Sequence, residues 1–151
     1  FYLRQMRAEE LYESLVVATA AHKTRGDYAA QEKAKGDWLK QFVVAFGTDD
    51  GEETTTFNGT IPQALMMFNG DLIKRATSKD KGSFLTTVAE DQTRSVQKIN
   101  FLFMTALARR PTKKEIEVAN QLLLARKRDV AGALQDIWWA VLNSNEFILN
   151  H

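Results

Sequence analysis

The chain has 151 residues, 44% hydrophobic and 26% charged, the balance of a globular domain and not of a disordered one. Twenty Lys and Arg against 19 Asp and Glu leave a formal charge of +1, which supplies no strong pull toward nucleic acid or an anionic membrane. The absence of cysteine excludes disulfides, thiolate metal centres, a cysteine nucleophile and covalent haem attachment within these residues.

Hydrophobic periodicity predicts helix nearly throughout. Leu11, Leu15 and Ala18 recur at helical spacing, with Met6 leading in and Glu9, Glu10 and Glu13 near the positive end of the helix dipole. From His22 to Lys35 the chain is polar and weakly patterned, read as a long turn or a loosely packed helix. Asp37 is expected to cap a short helix carrying Trp38, Leu39, Phe42, Val43 and Phe46, stopped at Gly47. Thr48 to Gly59 is a long acidic and Thr-rich loop, with Thr54 to Phe57 the sole strand candidate.

Thr60-Ile61-Pro62-Gln63 reads as the start of a helix carrying Leu65, Phe68 and Leu72, and residues 77–82 form a polar break. Val96, Ile99, Phe103 and Leu107 share a face of a helix that Phe101, Leu102 and Met104 make apolar nearly all round, ended by Arg110-Pro111. Thr112-Lys113-Lys114-Glu115 is a capping box, opening a helix with Ile116, Ala119, Leu122 and Leu123. Asp129 caps the last long helix, with Val130, Leu134, Ile137, Trp138, Val141 and Leu142 on one side, before a terminal apolar turn at Phe147. The expected fold is all-α, a single-domain bundle of about six helices with one long loop. Because the sequence opens at Phe1 and not Met, residues 1–151 are expected to be a processed or excised piece of a larger protein. No run reaches the ~18 apolar residues of a membrane-spanning helix, so membrane insertion is not expected.

Four blocks occur in a familiar order: residues 8–15, Thr60 to Gly70, Leu107 to Thr112, and Asp136 to Phe147. In these the chain resembles the C-terminal domain of planctomycete-type cytochrome-associated exported proteins, a family of unknown function. The resemblance implies an extracytoplasmic location and, as partners, upstream domains of the same polypeptide, in some members including a c-type haem segment. It implies no catalytic residue and no cofactor in this chain, which lacks the Cys-x-x-Cys-His signature.

Candidate chemistry is sparse. His22 and His151 have no neighbouring ligand at metal spacing. Asp49-Asp50-Gly51-Glu52-Glu53 concentrates oxygen ligands but lacks the alternation of a calcium loop, so a solvated acidic loop is expected. Glu9 and Glu13 share a helix face, as a pair of glycosidase acids could if an upstream domain completed the cleft; helix-end charge explains them equally well. Arg109-Arg110 and Arg126-Lys127-Arg128 suit predicted helix C-termini, and Asn69, Asn143 and Asn145 suit helix ends. No motif speaks for glycan binding. Trp139 stands apart. It lies off the apolar stripe in a row with Gln135, Asp136 and Asn143, either covered by a neighbouring element or serving as an interface anchor. Three functions follow as expectations: a non-enzymatic assembly module, a domain completing a polysaccharide-acting site, or a partner of a haem redox domain.

Overall fold

A computed structural model describes residues 4–5, 7–24, 26–46, 66–67, 69–127 and 129–150. Among the described residues lie eight α-helices. These are α1 (Ala8–Thr19), α2 (Tyr28–Phe46), α3 (Asp71–Ala76), α4 (Phe84–Glu90), α5 (Ser95–Leu107), α6 (Lys113–Ala125), α7 (Val130–Leu142) and α8 (Asn145–Ile148). The all-α class and the single core follow the sequence expectation, with more helices than the expected six. A two-residue antiparallel ladder joins β1 (Arg4–Gln5) to β2 (Leu149–Asn150), so the two ends of the described chain meet. The expected loop 48–59, its strand candidate, the helix start at 60–63 and His151 lie outside the described residues.

α1 buries Leu11 and Leu15 completely, with Ala8, Tyr12 and Ala18 beside them. Each fully buried leucine is worth about 1.5–3 kcal/mol relative to exposure. The helix ends in a left-handed Ala20 (φ 48°), and a 3-10 turn, Ala21–Thr24, leads onward. The polar stretch after it is not a turn: α2 runs unbroken through Gly36 and Asp37, correcting the expected helix start at Asp37. Its buried stripe is Ala34, Trp38, Phe42 and Ala45, alanines at both ends and aromatics between. The Tyr12 hydroxyl donates to the Lys35 carbonyl at 3.0 Å, and the Tyr12 and Phe42 rings meet edge to face at 6.1 Å, which fastens α1 to α2.

α3 has six residues, too few to persist alone. Two buried indoles hold its ends. Trp38 Nε1 donates to Asp71 Oδ2 at 2.7 Å at the first residue, and Trp138 Nε1 donates to the Ala76 carbonyl at 3.1 Å at the last. α4 is a second short helix, in a stretch where no helix was predicted. Ser83 Oγ accepts from Thr86 N–H at its start, and Lys98 Nζ donates to the Ala89 carbonyl at its end. That bond accounts for a lysine buried to 8% exposure, since its charge meets the negative end of a helix.

α5 turns Ile99, Leu102 and Phe103 to the core and leaves Val96, Phe101 and Met104 41–51% exposed, so the helix that reads apolar nearly all round buries one side. Phe101 stacks on Phe84 of α4 at 5.9 Å between centroids. The helix stops at Leu107, short of the proline, because Ala108 turns left-handed (φ 52°) and donates back to the Met104 carbonyl. α6 and α7 start as predicted. Thr112 and Glu115 exchange side-chain-to-backbone bonds, and Asp129 Oδ1 accepts from Gly132 N–H at 2.8 Å. The turn between them is short, so α6 and α7 run antiparallel, clipped by Arg126 to Asp136 at 2.9 and 3.0 Å.

Candidate functional site

α5, α6 and α7 enclose a groove of about 490 Å³. α6 presents Glu115, Val118, Ala119 and Leu122 to it; α7 presents Ile137, Ala140 and Val141, and Ser144 follows in the turn that caps α8. The α6 set follows i, i+3, i+4, i+7 spacing and the α7 set i, i+3, i+4, so each wall is one helix face. Phe103 and Leu107 of α5 form the third side. The floor residues Ala119, Ile137 and Val141 are buried, whereas Val118 and Ala140 are exposed on the walls. Alanines at 119 and 140 leave space that larger side chains would fill.

The start of α6 and the end of α7 lie together, and there the groove is polar. Arg109, released from α5 by the left-handed Ala108, reaches Glu115 on α6 and Glu146 on α8, just beyond the end of α7. Its Nε and Nη2 donate to the two oxygens of Glu146 at 2.5 and 2.6 Å. Nη1 and Nη2 donate to Glu115 at 3.0 and 2.9 Å, and Nη1 also donates to the Arg110 carbonyl at 3.1 Å. A guanidinium carries five N–H donors, and these five bonds occupy them all. Its carbon stands 5.5 Å from the centroid of Phe103, so a ring face adds to its support.

The hydrogen bonds from Arg109 pull the Glu115 carboxyl down to about 2, assisted by the Thr112 backbone and hydroxyl and opposed by partial burial. The bonds to Glu146 and then Glu115 raise the Arg109 guanidinium beyond its ordinary value. Each of the three side chains remains about one-third exposed (33–35%), so solvent screens the group and it acts as a clasp, not as a deeply buried charge centre.

The residues expected from sequence fall elsewhere. Trp139 is 39% exposed and lies about 200° around α7 from Ile137, on a different side from the groove. Its row does not form a free patch. Gln135 donates to the Thr77 carbonyl at 2.6 Å, Asp136 holds Arg126, and Asn143 Nδ2 donates to the Trp139 carbonyl. Asn143 Oδ1 and His22 Nδ1 are buried without a hydrogen-bond partner among the described residues. Burial, with Lys35 and Lys23 nearby, lowers the His22 pKa. Glu9 and Glu13 are exposed on α1 and do not line the groove. Among the described residues no group of three or more His, Cys, Asp or Glu could hold a metal ion, and no helix is long and apolar enough to cross a membrane.

Arg109 escaped the sequence reading because its position after a helix suggested only a dipole partner. The capping box six residues on was visible, but nothing local links Arg109 to Glu146, 37 residues away. No family model, curated protein or solved structure matches the chain.

Proposed function

We propose that this chain is a non-enzymatic helical assembly module that docks, through the groove between α5, α6 and α7, onto other domains of the exported protein to which it belongs. The observation that carries this is the groove itself. Two helix faces and an aromatic side line an open apolar space of about 490 Å³, within the size range of ligand-binding clefts. Contiguous exposed apolar surface of this kind marks interaction sites. The resemblance noted from the sequence contributes the extracytoplasmic setting and the upstream partner domains.

Calorimetric titration of the chain with the remainder of its polypeptide tests the proposal. Ala140→Trp fills the groove from an exposed wall position and is expected to weaken binding at least about tenfold, roughly 1.4 kcal/mol. Trp139→Ala, on the other side of α7, is expected to leave binding unchanged. The reverse pattern would move the interface to the Trp139 face, and no binding by the wild-type chain would overturn docking.

A further inference from the structure

We propose that His22 is an acid-sensitive latch: proton uptake on its ring loosens the 3-10 turn that joins α1 to α2. The turn, Ala21–Thr24, follows the left-handed Ala20 (φ 48°), a conformation that is costly for alanine and persists only where its surroundings hold it. Those surroundings are α2 and α3, which both pack on the turn. Within it Ala21 N–H donates to Thr19 Oγ1 at 3.3 Å and Lys23 N–H to the Ala20 carbonyl at 3.0 Å. His22 Nδ1 is shut off from solvent there and has no hydrogen-bond partner among the described residues. A neutral imidazole tolerates this with its proton on Nε2, because a bare lone pair at Nδ1 needs no acceptor. The imidazolium carries an N–H on both nitrogens, so protonation leaves a buried donor unpaired.

The charges around the turn add to that cost. Lys35 of α2 and Lys23 of the turn itself repel a further positive charge. Glu32 of α2 acts in the opposite sense, but its Oε1 already accepts from Lys35 Nζ at 2.8 Å. α3 carries Asp71, which accepts from the Trp38 indole, and two more cations, Lys74 and Arg75. The acids of α1 lie in its first half, with Glu13 about 10 Å of helix rise from Ala20. Tyr12 of α1 is kept neutral by burial and donates to the Lys35 carbonyl. Burial first, then the two lysines, lower the His22 pKa below its ordinary value of 6.5. The neutral ring therefore supports the fold in full above about 6.5, and that support is lost as pH falls from there through the lowered folded value.

Amide hydrogen exchange by NMR on the intact chain tests the latch, read as protection factors so that the intrinsic pH dependence of exchange cancels. The range from about pH 7.5 to 5.0 spans ordinary histidine titration and stays above that of carboxylates. Across it, protection of the Ala20, Ala21 and Lys23 amides is expected to fall at least about fivefold, the scale of one unpaired buried donor. At both ends of the range these amides are expected to be less protected than Ile99 and Leu134 in the core, as for a turn that opens by itself. His22→Phe keeps a planar ring without a titrating nitrogen and is expected to abolish the fall, with His151, the other histidine of the chain, left in place as a control. In the wild-type chain the His22 Cε1–H resonance is expected to titrate below about 6.5, a readout that does not depend on the variant folding. A ring that titrates at or above that value, protection that does not change with pH, or a fall that persists in His22→Phe would overturn the latch. Turn amides as protected as Ile99 and Leu134 would overturn it too, since the turn would then open only with the whole domain.

Discussion

Arg109 gathers three segments with one side chain: the exit of α5, the first turn of α6 and the short α8. Exposed ion pairs are worth about 0.2–1 kcal/mol each, but two forked contacts on one planar group fix geometry as well as energy. Glu115 is held below its unfolded pKa, so its contribution to stability is complete above about 4.5 and is lost as pH falls toward about 2. In Arg109→Met the Glu115 carboxyl is expected to titrate well above 2, and the loss of stability across that acid window is expected to shrink. Carboxyl-carbon NMR and denaturant titrations from pH 5 to 2 measure both. A Glu115 that still titrates near 2 would assign the shift to the Thr112 cap instead. That cap was legible because capping operates over three residues. The ion pairs were not, because tertiary folding alone brings residue 109 to residue 146.

At the scale of elements, legibility followed the distance over which each signal acts. The starts of α6 and α7 stood where Thr112 and Asp129 put them, since both side chains bond to backbone within one turn. The first half of α2 stood in the sequence as either a long turn or a loosely packed helix because Ala34 is its one buried anchor and alanine carries little pattern; its Ala, Gln, Glu and Lys content favours the helix, which forms from Tyr28. α4 was missed for another reason. It is one short helix with two adjacent threonines, held by Lys98 from α5 and by Phe84 packing on Trp138 at 5.0 Å. On α5 apolar content overstated burial: Phe101 and Met104 remain about half exposed (51% and 47%), although Phe101 stacks on Phe84 of α4. A continuous α2 makes a specific prediction. Gly36 is exposed and a Cβ there meets nothing within 4 Å, so Gly36→Ala is expected to stabilise the protein by about 1 kcal/mol, the helix-interior propensity difference. Chemical denaturation checks it, and a neutral result would place Gly36 outside a helix, contradicting an unbroken α2.

Across the whole molecule the described helices share one core in which Trp38 and Trp138 sit near opposite ends of α3. The all-α class was legible because helical periodicity extends over most of the chain. The groove was not, because its walls come from three helices and its depth from two alanines, residues that look unremarkable in a linear pattern. Trp139 drew attention in the sequence because a large aromatic off the apolar stripe is conspicuous; in the fold its polar neighbours bond within the chain. The central claim is that the groove, and not the Trp139 face or the acidic face of α1, receives the rest of the polypeptide. The most direct test is to map methyl and indole chemical-shift changes on the labelled chain as that remainder is added. The account predicts the largest changes at Val118, Leu122, Ile137 and Val141. Changes centred on Trp139 or around Glu9 and Glu13, with the groove methyls unmoved, would contradict it.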